Sequence, residues 1–219
     1  MNKKSAPYVI SMANSTVFSG VRVVWLGHSS VLLEADGMRV YIDPFVLPRG
    51  YPAADIILYS HGHTDHAVAA PSITTSRTVL IGNNCKLPVR VIEIGTKEKV
   101  GSAIIEAVHA YNIGKPFHPR DKGAGFIIHF KTARVYFAGD TDVIPEMAGI
   151  DCDIALLPIG GTYTMDAKEA AEAVERIKPK VAIPIHYNYL TDTRADPLAF
   201  KSAVDALIGN RTDVRILTP

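Results

Sequence analysis

The chain has 219 residues, enough to bury a full hydrophobic core and to form one domain that spans residues 1–219. Its 23 basic and 22 acidic residues give a net charge of +1, which argues against a general nucleic-acid-binding protein. No stretch approaches the roughly 20 apolar residues of a membrane span, and the N-terminal apolar run is too short and broken for a signal peptide, so we expect a cytoplasmic protein.

Short runs rich in Val and Ile, separated by Gly, Pro or Asp, predict β-strands along the chain. A hairpin turn is expected at Asp36-Gly37, between the second and third strands. In chain order the predicted strands are 22–25, 30–34, 39–42, 56–60, 78–81, 89–94, 103–107, 125–130, 134–138, 154–157, 181–185 and 214–217.

Helix signals are fewer. Asp166 and Asp196 are expected to cap two helices, the first ending near Lys178 before Pro179 and the second stopping at Gly209. A shorter helix is predicted from near Asp65 into 67–70. Because both halves of the chain are strand-rich and then carry a helix, the sequence predicts an α/β fold with two sheets packed face to face and helices outside, a four-layer αββα sandwich.

The segment Ser60 to His66 concentrates metal-ligating side chains in one loop. It has the pattern H-x-H-x-D-H, with His61, His63, Asp65 and His66, and it directly follows an apolar strand. Imidazole and carboxylate groups are ligands that zinc, manganese and iron accept. A solvated polar loop is the alternative, but it would explain the polarity and not four ligand-type residues at this spacing.

Three more residues of ligand type end apolar strands: His109, Asp140 and His186. Taken singly, either histidine could be a hydrogen-bonded core residue, and the aspartate could cap a turn. Their joint placement at strand ends favours one metal site that they share with the H-x-H-x-D-H loop. The two cysteines, Cys85 and Cys152, are expected to remain thiols outside the chemistry, and one disulfide between them is the alternative.

The order of these motifs resembles the metallo-β-lactamase superfamily from about Val21 to Tyr187. Further segments resemble a narrower branch, the ascorbate-6-phosphate lactonase-like hydrolases, which is itself similar to N-acylphosphatidylethanolamine phospholipase D. These segments are Trp25-Leu26-Gly27-His28-Ser29-Ser30, Tyr41-Ile42-Asp43-Pro44-Phe45, Ala138-Gly139-Asp140-Thr141-Asp142 and Leu157-Pro158-Ile159-Gly160-Gly161.

The resemblance implies a ligand set for two divalent metal ions. His61, His63 and His109 would hold the first. Asp65, His66 and His186 would hold the second. Asp140 would bridge both, and Asp43 would support the metal loop by hydrogen bonding, as groups beyond the ligands commonly do. Zinc is the metal we expect first, with manganese, iron or nickel as alternatives, because the donors contain nitrogen and oxygen but no thiolate.

The activity implied is hydrolysis of a small ester, lactone or phosphodiester by a hydroxide that the two metals share. The candidate catalytic residues are Asp65, Asp140 and His28, where His28 either contacts the substrate or is packed and inert. Two other functions stay open: a nucleic-acid phosphodiesterase, and a non-hydrolytic iron-binding redox or sensor protein.

The loop after His109 is expected to border the substrate, because it directly follows a predicted ligand. Its candidate substrate-binding residues are Tyr111, Asn112, Lys115, His118 and Arg120, and a solvated surface loop is the alternative. Tyr163 is a further candidate. We expect a small-molecule substrate and neither nucleic acid nor a membrane span, and a homo-oligomer stays open.

Overall fold

Two mixed β-sheets form the centre of the protein in this computed structural model, which describes residues 13–219. The expectation about a signal peptide rests on the N-terminal apolar run, which lies outside these residues. The strands of the first sheet, in spatial order, are β1 (Ser15–Phe18), β2 (Val21–Gly27), β3 (Ser30–Ala35), β4 (Met38–Ile42), β5 (Ile56–Tyr59), β6 (Val79–Gly82) and β7 (Arg90–Val91).

The second sheet repeats this plan. Its strands, in chain order, are β8 (Lys97–Val100), β9 (Ala103–His109), β10 (Ala124–His129), β11 (Arg134–Phe137), β12 (Ile154–Pro158), β13 (Val181–Ile185) and β14 (Asp213–Val214). In each sheet the first four strands pair antiparallel and the last four pair parallel. In each sheet the carboxyl ends of the parallel strands lie at one edge. The loops that follow β4 and β5 can therefore lie close together at that edge of the first sheet, and the loops that follow β11 and β13 at that edge of the second.

The main hydrophobic core lies between the sheets and continues beneath the helices. It includes fully buried Leu33 of the first sheet and Phe126 of the second. Two helices, α1 (Ala167–Ile177) and α2 (Pro197–Ile208), add Val174 and Phe200 to the same core. The predicted fold is confirmed as an α/β sandwich in which two mixed sheets pack face to face. No helix within residues 13–219 has the length and apolar character to cross a membrane.

The outer face of the first sheet is covered by a loop and not by the short helix that we predicted near Asp65. A second apolar cluster, which includes Tyr41, Tyr59 and Ile73, lies beneath this loop. The segment after Asp65 forms successive turns, in which the carbonyl of His63 accepts from the amides of residues 66 and 67. Pro71 also disfavours helical backbone in the residue before it, so the apolar run 67–70 does not continue as a helix.

The predicted strands and long helices agree with the structure to within a few residues, except at the sheet edges. The sequence did not predict β1 and β8, and the predicted strand 89–94 shortens to β7, Arg90–Val91. The β8 sequence Lys-Glu-Lys-Val lacks an apolar run. Such edge strands form because a neighbouring strand offers hydrogen bonds, which local sequence does not reveal.

Replacing the helix cap Asp166 by Ala should lower the free energy of unfolding by about 1 kcal/mol. The Asp166 carboxylate accepts from the amides of Lys168 and Glu169, and the Glu169 carboxylate accepts from the Asp166 amide. Urea unfolding measures the change. Asp166→Ser is the matched control and should keep most of the stability, because serine also caps helices; equal losses in both variants would contradict the capping role.

Candidate metal centre

The ligand-type side chains converge where strands of both sheets end. His61, His63, Asp65 and His66 lie in the loop that begins after β5, and His186 directly follows β13. An isolated β-bridge joins His61 to Gly123, just before β10, and therefore links the metal loop to the second sheet. The loop is tightly built, since a side chain at Gly62 would lie 2.6 Å from the carbonyl oxygen of Asn84.

Three imidazoles form the first group of potential ligands: His61, His63 and His118. The His61 Nε2 atom lies 3.0 Å from His63 Nδ1. One nitrogen from each ring falls within 4.8 Å of the others. This spacing suits a single ion bound by three nitrogen atoms.

The second group contains His28, Asp65, His66 and His186, whose potential ligand atoms also lie within 4.8 Å of one another. Asp65 Oδ2 is 3.7 Å from His66 Nε2 and 3.0 Å from His28 Nε2. All but Asp65 are buried.

Asp140 lies between the two groups. Its Oδ2 atom is 3.3 Å from His118 Nε2, 3.4 Å from His66 Nε2 and 3.2 Å from His186 Nε2. Donor atoms around a tetrahedral zinc ion lie roughly 3.3–3.4 Å apart, because the Zn–N bond is about 2.0–2.1 Å long. Three buried atoms here have no hydrogen-bond partner among the described residues: His66 Nε2, His186 Nε2 and Asp140 Oδ1. Since unpartnered buried polar atoms are costly, these residues fit bound metal well.

Asp43 organises the metal loop from beneath. Its Oδ2 atom accepts from His66 Nδ1 at 2.8 Å and from the Ser60 hydroxyl at 2.5 Å, and its Oδ1 atom accepts from the Ser60 amide at 2.8 Å. The Ser60 oxygen in turn lies 2.9 Å from His61 Nδ1. One fully buried carboxylate therefore orients one imidazole from each ligand group and leaves both Nε2 atoms for coordination.

Asp43→Asn should weaken metal binding by about 10- to 100-fold, because the amide cannot accept all the hydrogen bonds that the carboxylate accepts. Competition against a chromophoric chelator measures the affinity of each site. Ser60→Ala is the matched comparison, since it removes the contact to His61 and keeps the one to His66, and it should weaken binding less. Unchanged affinity in Asp43→Asn would contradict this role.

His118, predicted to bind substrate, instead belongs to the first group of potential metal ligands. Its Nδ1 atom donates to Asn112 Oδ1 at 2.9 Å and lies 3.2 Å from the Tyr163 carbonyl, so its Nε2 atom faces Asp140. The structure does not bring His109 into any of these groups. Its Nδ1 atom instead lies 3.3 Å from Asp121 Oδ1. His118 lies in the irregular loop that follows β9, nine residues after His109.

The other predicted substrate-binding residues are engaged within the protein. Asn112 positions His118, and Lys115 Nζ donates to Asp142 Oδ1 and to the Thr164 carbonyl. Arg120 pairs with Glu146 and donates to the Tyr111 hydroxyl. These four side chains, Tyr111, Asn112, Lys115 and Arg120, therefore fix the loop rather than offer unpaired donors to a substrate.

His28 lies behind Asp65 and is fully buried. Its backbone carbonyl accepts from the His186 amide at 2.9 Å and from the Trp25 indole at 2.8 Å. His28, Asp43 and His186 all have positive φ, at 51°, 44° and 57°. Such left-handed backbone is uncommon outside glycine and clusters at functional sites. His28 is thus placed to orient Asp65, and it does not line either of the cavities described below.

Burial and neighbouring charges together set the charge state of several potential ligands. It lowers the pKa of His28 and His118, and the pKa of His61 well below its usual value, which favours the neutral imidazoles that coordinate metal. Burial alone would raise the pKa of Asp140, but the neighbouring His186 and His66 hold it well below its usual range. Burial alone would lower the pKa of His66, but Asp140 and Asp43 raise it, so metal binding at its Nε2 must release a proton.

Two cavities open beside the centre, one on each side of His63, His118 and Asp140. The first, of about 430 Å³, is lined by His61, Lys86 and Lys122 among others. The second, of about 400 Å³, is lined by Phe117, Tyr163 and Leu190 together with ligands of the second group. Volumes in this range suit small molecules.

Known proteins resemble this chain in sequence and in fold. A family model described as the beta-lactamase superfamily domain matches residues 22–186. A UPF0173 metal-dependent hydrolase from Thermococcus onnurineus is 35% identical over 226 residues, covering 91% of this chain and 97% of the relative. One from Archaeoglobus fulgidus is 36% identical over 227 residues, covering 91% and 96%.

Solved structures give the same result. The crystal structure of a protein from Parabacteroides distasonis has a TM-score of 0.82 at 32% identity, covering 93% of this chain and 99% of that one. Igni18, a metallo hydrolase from Ignicoccus hospitalis, has a TM-score of 0.76 at 29% identity, covering 91% and 95%.

The fold and the family match define a member of the metallo-β-lactamase superfamily. More narrowly, the chain belongs to the UPF0173 family of metal-dependent hydrolases and is an enzyme of that class. The resemblance to ascorbate-6-phosphate lactonase-like hydrolases rests on the sequence segments quoted above.

Proposed function

We propose that the enzyme holds two divalent metal ions and hydrolyses an ester, lactone or phosphodiester bond of a small molecule. His61, His63 and His118 bind one ion, Asp65, His66 and His186 bind the other, and Asp140 contacts both. The observation that carries this proposal is the position of Asp140 Oδ2, 3.2–3.4 Å from imidazole nitrogens of both groups. Zinc is the expected metal, since the donors are nitrogen and carboxylate oxygen.

When bound, such metals lower the pKa of water to about 7 and polarise the oxygen of the bond under attack. The protein contributes the orientation of the ligands and the shape of the cavities. Asp43 and Asn112 fix imidazole rings, and His28 fixes the Asp65 carboxylate. Cys85 borders the first cavity, but burial raises the pKa of its thiol, which makes it a poor nucleophile.

A small molecule fits better than a nucleic acid, because the net charge is only +1 and the cavities measure about 400–430 Å³. The narrower lactonase resemblance places lactones among the first compounds to test.

The test is to strip the protein with a chelator, reload it with zinc or manganese, and count bound metal by elemental analysis. Hydrolysis is then measured on bis(p-nitrophenyl) phosphate, simple and phosphorylated lactones, and a thioester. We expect two ions per chain and turnover that requires added metal. Fewer than one ion per chain, or turnover that survives stripping, would contradict the proposal. Two ions without any turnover would contradict the hydrolytic assignment alone.

A further inference from the structure

Two lysines border the first cavity next to the imidazoles of the first ligand group. Lys86 lies in the loop that follows β6, and Lys122 lies in the loop that leads into β10. Both are exposed at the rim, while His61 and His118 in the wall are buried. The sequence reasoning did not single out either lysine.

One side-chain hydrogen bond holds the two lysine loops against each other, and backbone contacts hold the second loop against the metal loop. Asn84 Nδ2 donates to the Lys122 carbonyl at 3.0 Å, which ties the first loop to the second. The bridge between His61 and Gly123, and the hydrogen bond of 2.9 Å from the Ala124 amide to the Ser60 carbonyl, attach the second loop to the metal loop. The two cationic side chains therefore start from fixed positions on one rim.

The charges of this rim are uncompensated. Among the described residues, neither Lys86 nor Lys122 forms an ion pair, whereas Lys115 and Arg120 of the nearby loop pair with acidic side chains. The single carboxylate in the lining is Asp140, which faces the imidazoles. The second cavity contains no lysine or arginine in its lining. The two sides of the centre thus differ in charge.

We propose that Lys86 and Lys122 form an anion subsite. It binds a phosphate or carboxylate group of the substrate that is remote from the bond to be cleaved. The inference rests on the proposed hydrolytic function and narrows its substrate class to anionic small molecules. The anionic group occupies the lysine side, and the uncharged part of the substrate lies toward Tyr163 and Leu190, which line the second cavity and not the first. Lysine ammonium groups suit this role as point charges for phosphate or carboxylate.

Binding can be measured without turnover. Zinc-loaded wild type and the double variant Lys86→Ala/Lys122→Ala are titrated calorimetrically with sorbitol 6-phosphate and with sorbitol, which differ by one phosphate and carry no other charge. Wild type should bind the phosphorylated compound more tightly, and the double variant should lose roughly 5- to 20-fold of that affinity, as expected for two exposed charge pairs. The control Lys131→Ala/Lys168→Ala removes two exposed lysines elsewhere and should bind like wild type.

Equal affinities in wild type and the double variant would overturn the subsite, because the metals alone would then account for phosphate binding. An equal loss in the control variant would also overturn it, since net charge would then be the cause. Two pairs of substrates extend the comparison to turnover and to carboxylates. The first pair is gluconolactone and its 6-phosphate, and the second is p-nitrophenyl butyrate and mono-p-nitrophenyl glutarate. If a pair is hydrolysed, the double variant should raise KM for its anionic member alone. Absence of all turnover would contradict the proposed function and leave the binding test valid.

Discussion

Asp140→Ala is expected to lower kcat/KM by at least about 10³-fold, the scale set by removing several kcal/mol of metal-dependent stabilisation. The Asp140 Oδ2 atom lies within 3.4 Å of His118, His66 and His186. The substitution therefore removes a donor that both proposed ions share, and it leaves Asp65 as the remaining carboxylate of the two ligand groups. Steady-state kinetics and elemental analysis of the same preparation measure the loss of activity and of metal.

The matched control is Asp151→Ala, which removes a carboxylate that is 80% exposed and paired with Arg134 at the surface. It should retain both ions and wild-type activity. An Asp140→Ala enzyme that keeps two ions and stays within tenfold of wild type would show that Asp140 does not join the two sites. Far-ultraviolet circular dichroism of each variant separates a site effect from unfolding.

His118→Ala is expected to lose one metal ion and about 10²- to 10³-fold in kcat/KM, while His109→Ala keeps both ions and most of the activity. The His118 Nε2 atom is 3.3 Å from Asp140 Oδ2, whereas His109 lies beside Asp121 and belongs to none of the ligand groups in residues 13–219. The pair of variants compares the potential ligand that the structure brings to the centre with the one that the family resemblance implied.

The measurement is metal content after dialysis against a buffer of fixed free zinc, followed by kinetics at saturating zinc. Asn112→Ala is an informative intermediate, because it keeps the His118 imidazole in the chain but removes one of the two acceptors near its Nδ1 atom. It should weaken zinc binding at one site and spare the other. Loss of an ion in His109→Ala, with both ions retained in His118→Ala, would reverse the assignment.

Much of the centre was predictable because its members are local in sequence or end a strand. The H-x-H-x-D-H loop places four ligand-type side chains within six residues, and Asp140 and His186 each follow an apolar strand. The carboxyl ends of neighbouring parallel strands meet at one edge, so residues there converge wherever the sheet order is right. The fold could be predicted from the sequence for a related reason, because short apolar strands and two capped helices are each marked by local patterns.

His118 was not predictable by that reasoning. It lies between Phe117 and Pro119 in an irregular loop, and no periodic pattern marks where its side chain points. Its position depends on Asn112 and on the carbonyl of Tyr163, which is 45 residues away in sequence. One signal in the sequence could have indicated His118 as a potential ligand. It is a second histidine shortly after His109, in a loop that was already expected to border the substrate.

Strand periodicity and short-range motifs in the sequence predicted the H-x-H-x-D-H loop, the strand-end candidates Asp140 and His186 and the sandwich of two sheets. The family resemblance added the supporting role of Asp43. Tertiary contacts were needed to show that His118 faces Asp140, that Lys115 and Arg120 are paired within the protein, and that Lys86 and Lys122 share one rim. These contacts depend on how irregular loops pack against each other, and that packing is set by hydrogen bonds between residues far apart in the chain.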